Sequence, residues 1–313
     1  MYPWLTHSLA NFIALLDKAR LHHANLLYSQ KGSGSEVLSH ALAKSILCLD
    51  SQQRTSKQGA CGECKSCLLV EAESHPDLHL ITRDKTQISV DSIRSAIEKV
   101  SKTAQLGGNK VILINNIESM SAAASNAFLK TLEEPTDDTY MVLSSCEVNH
   151  ILPTILSRCE KHKLNMPTYE QSAAFLLAQN VEVPEESTLR AHGGSPLLYL
   201  STLEEGGLRF DTFKNDWQSF VSPLSQVSIS AFELSEKYKE KAADVLDWLY
   251  AIITEEMNKQ FDNSQVDIIA ISDWQQCQLA EAKRKVQQVG VNNSVVLGQL
   301  FSSYKQLNSK VEQ

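Results

Sequence analysis

Four cysteines within a span of twenty residues constrain the fold of this chain more than any other feature. Cys61, Cys64 and Cys67 form a C-x2-C-x2-C run, and twelve residues separate Cys48 from the first of them. Thiolates at these spacings can surround one tetrahedral Zn²⁺, and four protein ligands leave no open coordination position. We therefore predict a structural zinc module at about 48–67. An iron–sulfur cluster and a nucleic-acid-binding zinc knuckle are the alternatives.

The other cysteines are scattered, at Cys146, Cys159 and Cys277, which brings the total to seven. An odd number with four members clustered fits a metal site better than a disulfide framework in a chain of this size. We expect the three scattered residues to be buried free thiols, because unpaired cysteine behaves as a small apolar residue.

Length and charge restrict the class of protein. The 313 residues are enough for two or three domains and carry a net charge of −8. A protein that binds DNA through its own surface usually presents a basic face, so a protein partner is the better expectation. No apolar run approaches the ~18 residues of a membrane span, and residues 1–16 lack the features of a secretory signal. We therefore expect a cytoplasmic protein.

The N-terminal half alternates between strand and helix signals. A short apolar run at 24–29 leads through a Gly/Ser loop at 30–35 into a segment with helical apolar spacing. The same alternation continues with a helix capped by Asp91, a buried strand at 111–114, a helix that starts at Ser121 and ends before Pro135, and a strand at 140–143. This alternation is typical of an α/β fold with a parallel sheet.

The pattern changes after about residue 165. Thr168 and Gln171 have the spacing of a capping box, the segment 193–196 interrupts two helical stretches, and only helical signals follow from about Leu208. We predict three domains: an α/β domain at 1–165, a small helical lid domain at 166–207 and a larger helical domain at 208–313.

The Gly/Ser loop has the outline of a phosphate-binding loop without its chemistry. A working loop follows G-x-x-x-x-G-K-[ST]: amides hold the phosphates, the lysine meets their charge and the hydroxyl binds Mg²⁺. Gly32 and Gly34 are present, and we place the last glycine of the pattern on Gly34. Ser29 then takes the first-glycine position, Ser35 the lysine position and Glu36 the hydroxyl position. A carboxylate at that last position repels phosphate at close range.

A second position has lost its charge as well. In ATPases an acidic residue after a buried strand binds Mg²⁺, whereas here the strand at 111–114 is followed by Asn115 and Asn116. Two separate losses predict a chain that does not hydrolyse ATP, although the retained glycines leave nucleotide binding without turnover open. An ordinary turn that was never a nucleotide site is the alternative, because Gly/Ser loops are common turns.

Motifs further along the chain carry a resemblance to a known family. The run FLKTLEEP at 128–135 resembles the LLKTLEEP signature of bacterial clamp-loader subunits, and LSRC at 156–159 resembles their SRC motif. YPWL at 2–5 and HHA at 22–24 resemble the delta-prime branch of that family, as does the zinc insertion beside a degenerate phosphate loop. The matches span about 2–160, so the C-terminal half follows only in helical character and length.

The resemblance implies a AAA+-type P-loop-like parallel-sheet domain, a lid domain and an all-α collar domain. It implies a stator in the DNA polymerase III clamp loader, without ATPase activity of its own and with polymerase activity only at the level of the holoenzyme. The implied partners are motor (gamma/tau) and delta subunits in a hetero-pentamer, with the sliding clamp and primed DNA reached through the complex. The implied cofactor is structural zinc.

The resemblance also implies that Arg158 acts in trans, as an arginine finger in the ATP site of a neighbouring subunit. A guanidinium at the γ-phosphate stabilises the charge of the transition state. A local salt bridge or a helix C-cap is the alternative role for this residue. Lys130, Glu133 and Glu134 are assigned no catalytic role. Where motor subunits carry a nucleotide-sensing arginine in the second domain, this chain has Leu197 and its neighbours.

Two questions stay open on the sequence. An apolar helix face with Trp248, Leu249 and Ile252 contributes either to the collar interface or to the core of its own domain. The alternative functions are an active AAA+ ATPase motor subunit, which Ser35 and Asn115 disfavour, and a zinc-dependent nucleic-acid-binding protein, which the acidic net charge disfavours.

Overall fold

The computed structural model describes residues 1–83, 87–205, 210–222, 229–260, 268–286, 288 and 290–311. They form two compact units, Met1–Gln171 and Ser172–Gln313. The predicted domain boundary between 207 and 208 lies outside the described residues. The division into three domains therefore stays a prediction.

The first unit contains a sheet of five parallel strands. These are β1 (Ala24–Tyr28), β2 (Leu78–Ile81), β3 (Lys110–Ile114), β4 (Thr139–Ser145) and β5 (Glu160–Lys163). Their order across the sheet is β2-β3-β4-β1-β5, and every neighbouring pair is parallel. Sequence analysis had not predicted β2 and β5, which are the two edge strands.

Among its described residues the first unit also contains seven helices, together with short 3-10 turns at Pro3–Leu5, Ile117–Ser119 and Val148–His150. The helices are α1 (Thr6–Asp17), α2 (Ser35–Leu47), α3 (Ser51–Lys57), α4 (Lys65–Glu71), α5 (Val90–Val100), α6 (Ala122–Glu133) and α7 (Pro153–Leu156).

Alternate residues of the central strands point to two cores on opposite faces of the sheet. In β3, Ile112 and Ile114 pack with α5 and α6, whereas Val111 and Leu113 pack with α1 and α2. Burial on both faces explains why this strand is a continuous apolar run in the sequence. The predicted fold class, a parallel sheet with helices on both sides, is confirmed.

One helix cap differs from the prediction. Ser89 caps α5, because its Oγ accepts a hydrogen bond of 3.2 Å from the backbone N–H of Ser92. Asp91 lies instead in the first turn, where a carboxylate is favoured by the positive end of the helix dipole. Ser121 stands at the start of α6, as predicted, and caps the helix by accepting from the N–H of Ala124.

The second unit consists of helices in its described residues. They are α8 (Tyr169–Ala178), whose first turn lies in the first unit, α9 (Glu186–Ala191), α10 (Pro196–Glu205), α11 (Phe210–Val221), α12 (Ala231–Tyr238), α13 (Ala242–Gln260), α14 (Ile268–Trp274), a π-helical turn (Gln275–Leu279), α15 (Ala280–Val286) and α16 (Asn293–Val311). The Thr168–Gln171 capping box at α8 is confirmed by reciprocal hydrogen bonds of 3.0 and 3.3 Å. None of the described helices is both long and apolar enough to cross a membrane.

The core of the second unit is rich in aromatic side chains. Phe213 and Trp217 of α11 are fully buried and pack with Trp248, Leu249 and Ile252 of α13. The apolar face of α13 therefore belongs to the core of its own unit. This answers the question that the sequence left open about these residues.

The expectation that the scattered cysteines are buried is correct for Cys159 only. Cys146 is half-buried, and Cys277 is exposed. Cys277 lies on the solvent side of the π-helical turn, between the buried side chains of Trp274 and Leu279. Here the position on the helix determines exposure, and the apolar character of the thiol does not.

A buried histidine sits in the aromatic part of the second core. The His192 ring lies among the rings of Tyr199, Phe210 and Trp248, and its Nδ1 donates to the carbonyl of Thr188 at 2.8 Å. Its Nε2 is buried and has no hydrogen-bond partner among the described residues. Burial lowers the pKa of His192, since a charged imidazole is poorly solvated there.

We expect acid to destabilise the second unit through His192. As the pH falls below ~6.5, the unfolded chain takes up a proton that the folded chain resists until its own lower pKa is reached. In urea titrations followed by tryptophan fluorescence, the loss in free energy of unfolding between pH ~7.5 and pH ~5.5 should be smaller in His192→Phe. The exposed His150→Phe is the control. Equal pH dependence in all three proteins would contradict the prediction.

Candidate functional site

The Gly/Ser loop follows the carboxyl end of β1, next to the carboxyl end of β4. In open parallel sheets this crevice is the usual ligand site. Gly34 has a left-handed backbone (φ 85°), and a Cβ at this position would lie 2.5 Å from the Tyr2 ring. The indole of Trp4 stacks on Tyr2 and donates a hydrogen bond of 2.8 Å to the carbonyl of Ser33. Two N-terminal aromatic rings therefore lie against the loop.

The loop also makes hydrogen bonds within itself. The side chain of Ser33 is fully buried, and its Oγ accepts from the N–H of Ser35 at 3.2 Å. The same hydroxyl is hydrogen-bonded to the hydroxyl of Ser29. An amide that would face a phosphate in a working loop is thus directed to a side chain of the loop itself.

The sheet brings the two altered positions together. Asn116 donates from its side-chain amide to a carboxylate oxygen of Glu36 at 3.0 Å. The side-chain carbonyl of Asn115 accepts a hydrogen bond of 3.0 Å from the hydroxyl of Ser144. Amides therefore stand where an ATPase has the acidic ligands of Mg²⁺, and the nearby Glu36 carries the charge sign that repels phosphate.

The thiol of Cys146 lies close to several charged groups of this crevice. Burial raises the pKa of Cys146, and three nearby carboxylates add to the effect, those of Glu118, Glu36 and Glu147. Lys31 opposes them. Three carboxylates thus lie near this thiol against one lysine, and carboxylates at close range disfavour a nucleoside triphosphate.

Arg158 lies at the opposite end of the strands from the loop, at the amino ends of the strands. It lies in the short segment between α7 and β5. Its guanidinium forms an ion pair with Glu133 at the end of α6. The guanidinium also donates to the carbonyl of Thr154 at 2.8 Å and to the hydroxyl of Ser157 at 3.3 Å. Both alternative roles considered for this residue, a salt bridge and a bond to a helix carbonyl, are present in the isolated chain.

A cleft of about 340 Å³ adjoins the Arg158 side chain. Its lining combines the amino end of β1, the end of α6 and the segment before β5, and consists of His22, His23, Leu132, Glu133, Ser157, Arg158, Cys159 and Glu160. The lining is polar and charged, and Arg158 contributes its only arginine or lysine side chain.

The four clustered cysteines meet as predicted. We call residues 48–67 the cysteine module. The sulfurs of Cys48, Cys61, Cys64 and Cys67 all lie within 4.8 Å of one another, and those of Cys61 and Cys67 are 3.8 Å apart. Four sulfurs at ~2.3 Å from one ion in a tetrahedron lie ~3.8 Å from each other. The group could therefore hold one metal ion.

Backbone amides donate hydrogen bonds to sulfurs of the module, while burial raises the pKa of Cys48 and Cys67. Cys61 Sγ accepts N–H bonds from Glu63 (3.4 Å) and Cys64 (3.3 Å), and Cys64 Sγ accepts one from Cys67 (3.4 Å). Although burial raises it, hydrogen bonds from the backbone of Cys67 and Leu49 and from neighbouring thiols lower the pKa of Cys64 to about 6. The thiolate is the form that binds a metal.

Comparison with known proteins decides the family. Residues 5–168 match the family model described as "DNA polymerase III, delta subunit". The curated "DNA polymerase III subunit delta'" of Haemophilus influenzae is 34% identical over 82% of this chain and 76% of its own length. The protein of the same name from Pseudomonas aeruginosa is 32% identical over 95% of this chain and 94% of its own length. The chain belongs to the DNA polymerase III delta' family.

The family match includes the loop, the cysteine module and Arg158, since all three lie within 5–168. The similarity to these relatives continues into the helical second unit, beyond the sequence motifs at about 2–160. The resemblance inferred from the motifs at 128–135 and 156–159 is thereby confirmed at the level of the family.

Two contacts at the sites of this delta' family member were not predicted from the sequence. Glu133, given no role, is the ion-pair partner of Arg158, and Tyr2 lies against Gly34. The paired glutamates of the LEEP run were a signal for the first contact. The two aromatic residues beside Pro3, at the start of the chain, were a signal for the second.

The cysteine module is attached to α1 by a partly buried ion pair. Arg54 of α3 donates to Asp17 at 2.7 and 3.1 Å, and Thr55 donates to the same carboxylate at 2.6 Å. Although burial raises it, hydrogen bonds from Thr55 and Arg54 and the charge of Arg54 lower the pKa of Asp17. The carboxylate therefore stabilises the folded state at neutral pH and loses this effect in acid.

We expect Asp17→Ala to lower the free energy of unfolding by about 1–3 kcal/mol, because it removes the partly buried carboxylate that accepts from both Arg54 and Thr55. Glu63→Ala is the matched control in the same module: its pair with Lys57 is exposed, and removing it should cost at most about 0.5 kcal/mol. Urea titration measures both values. Equal small effects of the two substitutions would show that the Asp17 network contributes little.

Proposed function

We propose that this delta' family member is a non-hydrolysing stator of the DNA polymerase III clamp loader, which helps place the sliding clamp on primed DNA. The observation that carries the proposal is the opposite placement of two half-sites. The crevice at the carboxyl ends of the strands lacks the groups for phosphate and Mg²⁺, whereas Arg158 lies at the amino ends. A strand of five residues is ~17 Å long, so Arg158 is remote from the loop of its own chain.

Arg158 would therefore serve a nucleotide bound to a neighbouring subunit. Its planar guanidinium matches phosphate oxygens, carries a fixed charge and needs no cofactor on this chain. At the γ-phosphate it would stabilise the charge that develops as the phosphoryl group is transferred. This role makes the chain part of an ATPase site while it hydrolyses no ATP by itself.

The implied partners follow from this role. A trans-acting arginine requires motor (gamma/tau) subunits, and the resemblance to bacterial clamp-loader subunits implies delta, the sliding clamp and primed DNA as further partners. The net charge of −8 supports contacts with protein over contacts with DNA by the chain alone. Polymerase activity would belong to the holoenzyme.

We also propose that the cysteine module binds Zn²⁺. The sulfur separations fit one tetrahedral ion, and four protein ligands give a structural site without an open position. An iron–sulfur cluster fits less well, since its cysteines bind different iron atoms and stand further apart. Zinc would supply the tie that joins the ends of the module, and the residues that hold it would be Cys48, Cys61, Cys64 and Cys67.

The test compares the isolated chain with the assembled loader. We expect the isolated chain to show no Mg²⁺-dependent ATP hydrolysis, and clamp loading by the motor and delta subunits to require its addition. ATP hydrolysis by the isolated chain, lost in Gly34→Val, would establish an active motor instead. Salt-dependent DNA binding by the chain alone, lost in Cys64→Ser, would establish a zinc-dependent nucleic-acid-binding protein.

A further inference from the structure

The ion pair of Arg158 with Glu133 occupies the group that a neighbouring phosphate would need. One terminal nitrogen of the guanidinium faces the Glu133 carboxylate, and the other donates to Thr154 and Ser157. The side chain of Arg158 is 33% exposed and that of Glu133 is 47% exposed. Both terminal nitrogens are therefore engaged within the chain, although the pair is open to solvent on one side.

Carboxylate and phosphate compete for the same face of a guanidinium. Both anions accept two parallel N–H bonds from the planar fork, so one arginine cannot serve both in full. A carboxylate that remained beside the γ-phosphate would also repel it. For Arg158 to present to a γ-phosphate the terminal nitrogen that now faces Glu133, this bond must break.

The two partners differ in how firmly they are held. Glu133 is the last residue of α6, and this end is fixed because His23 Nε2 donates to the carbonyl of Leu132 at 2.9 Å. Arg158 has a long flexible side chain beside the cleft of about 340 Å³. The longer arginine side chain can therefore leave the pair by rotating into this cleft, while the backbone that carries Glu133 stays in place. Exposed ion pairs are weak, so the exchange is readily reversible.

We propose that Glu133 holds Arg158 in an ion pair in the free subunit and releases it when a neighbouring subunit presents a nucleotide. This inference rests on the proposed trans-acting role of Arg158. Glu133 is then a positioning residue that sets how strongly the assembly responds to bound ATP. Its removal should favour the extended arginine, and only as long as Arg158 is present.

The first experiment uses the isolated chain. Glu133→Gln keeps the shape of the side chain and removes its charge. Glu134→Gln is the matched control, because Glu134 is the next residue and forms no ion pair among the described residues. Modification of Arg158 by phenylglyoxal, followed by peptide mass spectrometry, should be about threefold faster in Glu133→Gln than in wild type and unchanged in Glu134→Gln.

The second experiment uses the assembled loader with motor and delta subunits. The ATP concentration for half-maximal turnover should fall about two- to fivefold with Glu133→Gln, while the maximal rate changes little. Glu134→Gln should behave as wild type. In the Arg158→Ala background, Glu133→Gln should have no effect, because the guanidinium that Glu133 holds is missing. Thermal melting of each variant confirms that it is folded.

The outcomes separate this inference from the function it rests on. If Arg158→Ala reduces turnover but Glu133→Gln behaves as Glu134→Gln in both experiments, the proposed restraint of Arg158 by Glu133 is wrong. The trans-acting role of Arg158 is then retained. If Arg158→Ala has no effect on turnover, the trans-acting role of Arg158 is wrong, and the proposed restraint by Glu133 is overturned with it. If Glu133→Gln raises the ATP requirement, Glu133 assists Arg158 and does not restrain it.

Discussion

Replacing Cys67 with serine is expected to abolish metal binding at the proposed zinc site and to unfold the cysteine module. The Cys67 side chain is fully buried, and the only buried core of the module consists of Cys48, Cys61 and Cys67 themselves. Helix α3 within the module has no buried residue. A segment with so small a core depends on its metal, since binding free energy then serves as folding free energy.

The measurements are metal content and thermal stability. Wild type should contain about one zinc per chain and the Cys67→Ser variant almost none, with a loss of at least about 3 kcal/mol in stability. Limited proteolysis should cut the variant first within 50–60. The exposed Cys277→Ser is the control and should leave both properties unchanged. A Cys67→Ser protein with full metal content and unchanged melting would refute a structural metal site.

The central elements of the fold could be predicted because burial on both faces leaves a strong sequence signal. β3 and β4 are apolar runs, and the cap of α6 is a serine at the expected place. β5 has the sequence EKHK, without an apolar pattern. It is a strand because it pairs with β1 across the sheet, and this tertiary pairing is invisible in a local window.

Lys110 shows the same limit for a single side chain. The sequence suggests a charge outside the strand, but the residue lies within β3 and is buried. Its ammonium donates to the carbonyl of Val100 at 2.7 Å and to the hydroxyl of Thr136 at 3.1 Å. A buried lysine needs such acceptors, and they come from segments that the sequence does not bring together.

The candidate sites divide in the same way. The cysteine set was predictable, because metal ligands follow a fixed spacing within one short segment. The pairing of Arg158 with Glu133 was not, because 25 positions separate the two residues and only the ends of α6 and α7 bring them into contact. The contact of Tyr2 with Gly34 likewise depends on how the N-terminal segment crosses the loop.

Replacing Arg158 with alanine is expected to slow ATP turnover in the assembled loader. An arginine finger contributes ~10³–10⁵ in rate where it has been removed from other phosphoryl-transfer enzymes, and we expect at least about a tenfold loss at the one site served. The total rate falls less, because other motor sites continue to work. The fold should be little affected, since the ion pair lost with Arg158 is solvent-exposed and contributes only ~0–1 kcal/mol.

Arg190→Ala is the matched control, since this arginine also forms an exposed pair with a glutamate, Glu186. It removes the same charge from the second unit, and should leave turnover unchanged. Each variant must first co-purify with the motor and delta subunits in the same proportions as wild type. A loss of turnover is then a loss of chemistry at an assembled site.

The most direct measurement is single-turnover ATP hydrolysis by the loader assembled with wild-type, Arg158→Ala or Arg190→Ala chain, in the presence of clamp and primed DNA. The account predicts that Arg158→Ala converts one fraction of the bound ATP to a slow phase, at least about tenfold slower, while Arg190→Ala matches wild type. Identical time courses for all three assemblies would show that Arg158 serves no ATP site, and would reduce the chain to a scaffold.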